Sequence, residues 1–263
     1  MEQDKKQKPF GARMGEASFC IIYLIYIFVV AGMLWRKYQM AQAIDFTETF
    51  YLYNIRYISG FVMAMLLVCG DAFHLVPRII VNIKGEIKNQ ELYLGLGNLI
   101  SSITMTVFYL VMVIMCELCM RRTSGGKALL NDGLVVVTAL FVALRIILCL
   151  FPQNRWFTKE GNKKWAVIRN VPFVIVGIIA VVTLITDIST HMISEEADVL
   201  SSVLYPGTLI ETGFFIQIMI ATILSFAFYL PVAIKGKDNP KLGMLMIPKT
   251  ICYMWMMGVI CWG

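Results

Sequence analysis

From Ala17 to Trp35 the chain runs without one charged residue. Wound as an α-helix, about 20 apolar residues match the hydrocarbon thickness of a bilayer. Comparable runs recur at 57–80, 96–118, 133–151, 167–187, 213–234 and 243–262. A chain in lipid must satisfy its own backbone N–H and C=O groups, so only helices or a closed barrel can cross. The period-two alternation of barrel strands is missing from these runs. The expected fold is therefore all-α: one transmembrane bundle of about seven helices spanning residues 1–263. Composition agrees, with 59% hydrophobic and 15% charged residues and a mean hydropathy of +0.73. A soluble domain is nearer a quarter charged.

Two segments between the runs are too polar to cross. Residues 38–56 carry Asp45, Glu48 and Arg56 and read as an interfacial loop or helix. Residues 188–211 carry Glu195, Glu196 and Asp198 and read as a long external loop, in which His191 is solvated. The basic start, "MEQDKKQKPFGARMG", precedes a run that is long for a signal peptide, and a retained first helix is expected. Of the 23 Lys and Arg residues, 15 fall on the side that holds the N-terminus and six on the other, with Arg145 and Lys249 inside spans. The positive-inside rule then gives an N-in, C-out orientation in a multi-pass cell-membrane protein. The net charge of +6 reflects this asymmetry, and no nucleic-acid partner is expected. All seven cysteines lie in apolar runs, which argues for small packing residues and against disulfides. With two histidines in the chain, no metal site is expected, and no cofactor.

The informative residues are the polar ones inside the spans. The second run contains "GDAFHLVPRI", where Asp71, His74 and Arg78 stand at i, i+3 and i+7. That spacing puts them on one helix face. At about 1.5 Å per residue, Asp71 lies about 21 Å along this helix, toward the inner leaflet. Asn98 and Ser102 open the third helix at the same depth, on a face continued by Met105 and Tyr109. Arg145 comes about 18 Å along the fourth helix. Arg169 and Asn170 begin the fifth, Ser225 and Tyr229 end the sixth, and Lys249, Thr250 and Tyr253 begin the seventh. A charge at this depth is costly, so a layer of them implies pairing or a wet cavity. Other readings of single residues stand beside this one. Arg78 and Lys249 can snorkel to headgroups, Asp71 and Arg145 can form a structural ion pair, and Ser or Thr can bond to neighbouring backbone. Pro77-Arg78 is expected to end the second helix at the membrane surface.

The stretch "GDAFHLVPR", with "YLGLGNLISSITMTVFYLV" at 93–111 and "ILSFAFYLPVAIKGKDNPKLGMLMIPKTICYMW" at 223–255, resembles the lysoplasmalogenase-like (YhhN-type) family of polytopic membrane proteins. These blocks cover about a third of the chain. The resemblance implies hydrolysis of a vinyl-ether bond in a lysolipid, with release of an aldehyde. It carries over one acid, Asp71. The second acid that follows a Ser in the family is absent, since Phe226 follows Ser225. Members have eight helices where this chain shows seven, and here residues 79–92 lengthen the following loop. With Asp71 as one catalytic group, His74 is the candidate proton donor one turn away. Arg78, Arg145 and Lys249 are candidates for the substrate phosphate, and Asn98, Ser102, Ser225 and Tyr229 complete the expected substrate site. The partner is then a membrane lipid or lysolipid.

Three other functions stay open. The missing acid fits a lipid-binding relative without catalysis. Asp71, Arg145 and Lys249 could instead serve a small transporter, although matching Gly/Pro-broken helices in two halves are lacking. A retinal protein would use Lys249 as its Schiff base, but Lys249 lies near the start of its helix and Leu245 stands where an acid is usual.

Overall fold

A computed structural model describes residues 9–43, 48–85, 88–123, 131–158, 161–197, 207–235 and 240–263. It contains α1 (Phe10–Gln42), α2 (Glu48–Lys84), α3 (Gln90–Thr123), α4 (Asn131–Leu150), α5 (Lys163–Ala197), α6 (Gly207–Lys235) and α7 (Met246–Trp262), with 3-10 turns at Pro152–Asn154 and Pro240–Leu245. All seven are long and apolar enough to cross a membrane, and no strand occurs among the described residues. The chain is an all-helical, multi-pass membrane protein.

Most helices overrun the apolar stretches that announce them. α1, α2, α3 and α5 have 33, 37, 34 and 35 residues. Each is therefore about 50 Å long, against a hydrocarbon core of about 30 Å. Apolar content marks the crossing, whereas the helix persists into the headgroup layer wherever its polar flanks are good helix formers. This corrects the expected loop over 188–211, because α5 continues to Ala197 and α6 begins at Gly207. Thr186 and Ser189 donate to Thr183 O and Ile185 O at 2.7 and 2.8 Å, so their hydroxyls find partners on their own helix. Asp198, the side chain of His191, and Lys5, Lys6, Lys8, Lys127, Lys159 and Lys237 of the charge count lie outside the described residues.

Pro77 does not end α2, which runs on to Lys84. Proline deprives only the Phe73 carbonyl of its usual i+4 donor. Gly97 of α3 packs on that carbonyl: a Cβ there would meet the Phe73 oxygen and stand 2.7 Å from His74 Cα. One turn earlier on α2, Gly70 packs against Thr104 in the same way. Glycine and threonine thus bring α2 and α3 close along the face that carries Asp71 and His74, as small residues do in membrane bundles.

α2 lies between α1 and α3, α5 packs on α3, α4 and α6, and α7 returns from α6 onto α1 and α2. The core between them contains the buried rings of Phe108, Tyr109 and Phe173. Tyr109 of α3 meets Phe173 of α5 and Phe226 of α6 at centroid distances of 5.5 and 5.0 Å, and Phe108 meets Tyr253 of α7 at 5.7 Å. At the opposite end of the bundle from α1's start, Arg56 of α2 donates to Ile260 O and Val259 O at 2.9 and 2.8 Å, capping α7. These charge-assisted bonds anchor the helix that carries Lys249. Arg56→Gln is expected to lower stability by about 1–3 kcal/mol, read as thermal unfolding in detergent, whereas the same change at exposed Arg36 leaves the midpoint unmoved.

Candidate functional site

The end of the bundle where α1 begins encloses a cavity of about 510 Å³. Its walls come from α2, α3, α4, α5, α6 and α7 and from the α4–α5 connection. That size lies within the about 300–1,000 Å³ range of small-molecule sites. Asp71, His74, Arg78, Asn98, Ser102, Arg145, Tyr229 and Lys249 all line it. Ser225 does not. It is buried beside the cavity, with its hydroxyl 3.2 Å from Tyr109 Oη. Depth along α6 placed Ser225 well, but its direction around the helix points it at α3.

Asp71 is held from two other helices. Tyr23 Oη of α1 donates to its Oδ2 at 2.6 Å and Ser101 Oγ of α3 to its Oδ1 at 2.9 Å. No ion pair with Arg145 forms. Two hydroxyl donors fix the carboxylate and leave its remaining lone pairs toward the cavity. His74 follows one turn on, and its Nδ1 is buried with no hydrogen-bond partner. Ser102 donates to Asn98 O at 2.6 Å, so its hydroxyl satisfies its own helix.

The floor is aromatic and carries two cations. The Arg145 guanidinium lies 3.5 Å from the centroid of Phe173. Lys249 Nζ lies 4.7 and 5.2 Å from the rings of Tyr229 and Tyr253. Ring faces partly stabilise a desolvated cation, by about 2 kcal/mol. Neither residue snorkels: Arg145 is 2% exposed and Lys249 7%. Arg145 Nε and Nη1 have no hydrogen-bond partner. Tyr229 Oη donates to Asn170 Oδ1 at 2.8 Å, which fixes the ring under Lys249.

The rim is the α4–α5 connection. Asn154 Nδ2 donates to the carbonyls of Leu148, Cys149 and Phe151 at 2.7, 3.2 and 2.9 Å, closing the C-terminus of α4. Its Oδ1 accepts from Arg169 Nη1 at 2.8 Å. Arg169 also lies over the Trp156 ring at 4.0 Å, and Trp156 Nε1 donates to Cys149 O at 2.8 Å. Asn162 caps α5, accepting from the backbone of Lys164 and Trp165. Asn154→Ala is expected to lower stability by about 1–3 kcal/mol, because it leaves α4 carbonyls unpaired. Proteolysis within 155–163 should rise with it.

Tyr23, Asn154 and Trp156 were not among the sequence-derived site residues. Tyr23 sits in an unbroken apolar run, and only the contact of α1 with α2 brings its hydroxyl to Asp71. Six of the lining residues are cations (Arg78, Arg145, Arg155, Lys163, Arg169, Lys249), and Asp71 is the one carboxylate among the described lining residues. Such a cavity can hold an anion and offer it a general base. No protein-family model, curated protein or solved structure matches this chain.

Proposed function

We propose that this membrane protein takes a lysolipid into the chamber and hydrolyses its vinyl-ether bond. One observation supports this most directly: Asp71, oriented by Tyr23 and Ser101, opens into a cavity whose other charged lining residues are all cations, with the His74 imidazole beside it. On this reading the N-terminus is cytoplasmic and the chamber opens toward the inner leaflet. Arg145, Lys249 and Arg78 bind the phosphate, while Asn98 at the mouth and Tyr229 on the floor bound the glycerol. The reaction adds one water. His74 protonates the alkene carbon farther from the ether oxygen, giving an oxocarbenium ion. Water attacks the carbon bearing that oxygen and gives up a proton to Asp71. The hemiacetal then collapses to an aldehyde and the glycerol hydroxyl. The substrate phosphate, seated on the cations, offsets the positive field around His74. Purified protein in nanodiscs should release aldehyde from a vinyl-ether lysolipid and none from its saturated alkyl-ether counterpart.

The single carboxylate supports a second reading, a lipid-binding relative without turnover. The two separate on one assay, since that relative binds both lysolipids and releases aldehyde from neither. Binding of neither lysolipid overturns both.

A further inference from the structure

The cations of the chamber are unevenly satisfied, and that bears on the headgroup it accepts. Arg169 is engaged by Asn154 and Trp156 at the rim. Arg145 and Lys249, on the floor, lie against rings; Arg145 also reaches Cys149 and Lys249 feels the Asp71 carboxylate, but among the described residues no carboxylate lies within ion-pair distance of either. A buried cation with no carboxylate at ion-pair distance is unfavourable, and Asp71 is a single negative charge shared among the cations of the chamber. Two of them in one cavity are matched by a ligand with two negative charges. Arg145 offers a planar fork with Nε and Nη1 free, and Lys249 a point charge. Together they fit a tetrahedral group with three terminal oxygens better than a diester with two. The ammonium of a zwitterionic headgroup would enter among six cations, and the one carboxylate there already accepts from two hydroxyls. The tyrosine rings that could cage it are under Lys249.

We propose that Arg145 and Lys249 form a subsite for a phosphomonoester dianion, so that the chamber selects ligands ending in a free phosphate over zwitterionic ones. This rests on the lysolipid reading for its ligand but not for its chemistry.

The test is binding to wild-type protein in nanodiscs. The probes are a lysolipid with a terminal phosphate, its choline-headed counterpart of equal chain length, and glycerol phosphate. The phosphate-headed lysolipid should bind about tenfold tighter or more than the choline-headed one. Lys249→Met should bring that ratio to about threefold or less, with the wild-type ratio standing even if the variant misfolds. A choline-headed lysolipid that binds wild type as tightly overturns the subsite and leaves the lysolipid reading intact. Glycerol phosphate binding as tightly as the phosphate-headed lysolipid supports the subsite, makes its ligand a soluble phosphate, and overturns the lysolipid reading. Binding of no probe overturns both.

Discussion

Asp71→Asn should cut aldehyde release from a vinyl-ether lysolipid by about 10²- to 10⁴-fold, the usual loss on removing a general acid or base. The loss should fall on kcat and leave KM nearly unchanged, because the amide keeps the size of the carboxylate and the phosphate contacts lie elsewhere. Tyr23 and Ser101 position the carboxylate from α1 and α3. Tyr23→Phe and Ser101→Ala should each cost about tenfold, the effect of one lost hydrogen bond to a charged group. Full activity in Asp71→Asn would remove Asp71 from the chemistry and with it the hydrolase reading. Activity lost equally in Tyr23→Phe and Asp71→Asn would instead point to a collapse of the α1–α2 contact, which circular dichroism and thermal unfolding would show.

Gly97→Leu should be the most damaging substitution for the fold. The side chain would enter the backbone of α2 at Phe73 O and His74 Cα. Backbone atoms cannot rotate away, so α2 and α3 must part. Overpacking of this kind costs about 3 kcal/mol or more. Since Asp71 and His74 stand on the displaced face, activity should disappear with stability. Gly70→Ala makes a sharper case. The nearest atoms to the added methyl belong to the Thr104 side chain, and Thr104→Ala removes the hydroxyl but leaves the Cβ 2.7 Å away, so pairing the two changes should recover only part of the loss. If Gly97→Leu unfolds at the wild-type temperature, the close α2–α3 approach is wrong, and with it the positions of Asp71 and His74.

These two cases also mark what could be read from the sequence. The apolar runs revealed seven crossings because bilayer thickness leaves few ways to bury them. Helix ends were not legible in the same way, since a helix leaving the hydrocarbon needs no apolar content to continue. Pro77 misled for a related reason: a proline removes one N–H and crowds the carbonyl four residues back, and α2 tolerates both within the span, with Gly97 packed against the Phe73 carbonyl. At the site, the spacing of Asp71, His74 and Arg78 was legible because helical periodicity fixes which residues share a face. Depth along each helix then brought Arg145 and Lys249 to the same layer. Depth does not fix rotation about a helix axis, which is why Ser225 was placed in the cavity and instead bonds Tyr109. Tyr23 and Asn154 could not be read at all, because their roles arise from helix neighbours and loop closure far from them in sequence.

The central claim is that a lysolipid sits in this chamber with its phosphate on the floor cations and its ether at Asp71. The most direct measurement is an electron-microscopy map of the protein in nanodiscs with a non-hydrolysable alkyl-ether lysolipid that ends in a phosphate. The expected map shows the phosphate between Arg145 and Lys249 and the ether oxygen facing Asp71. Lipid density confined to the outer, bilayer-facing surfaces of the helices, with the chamber holding none, would contradict it.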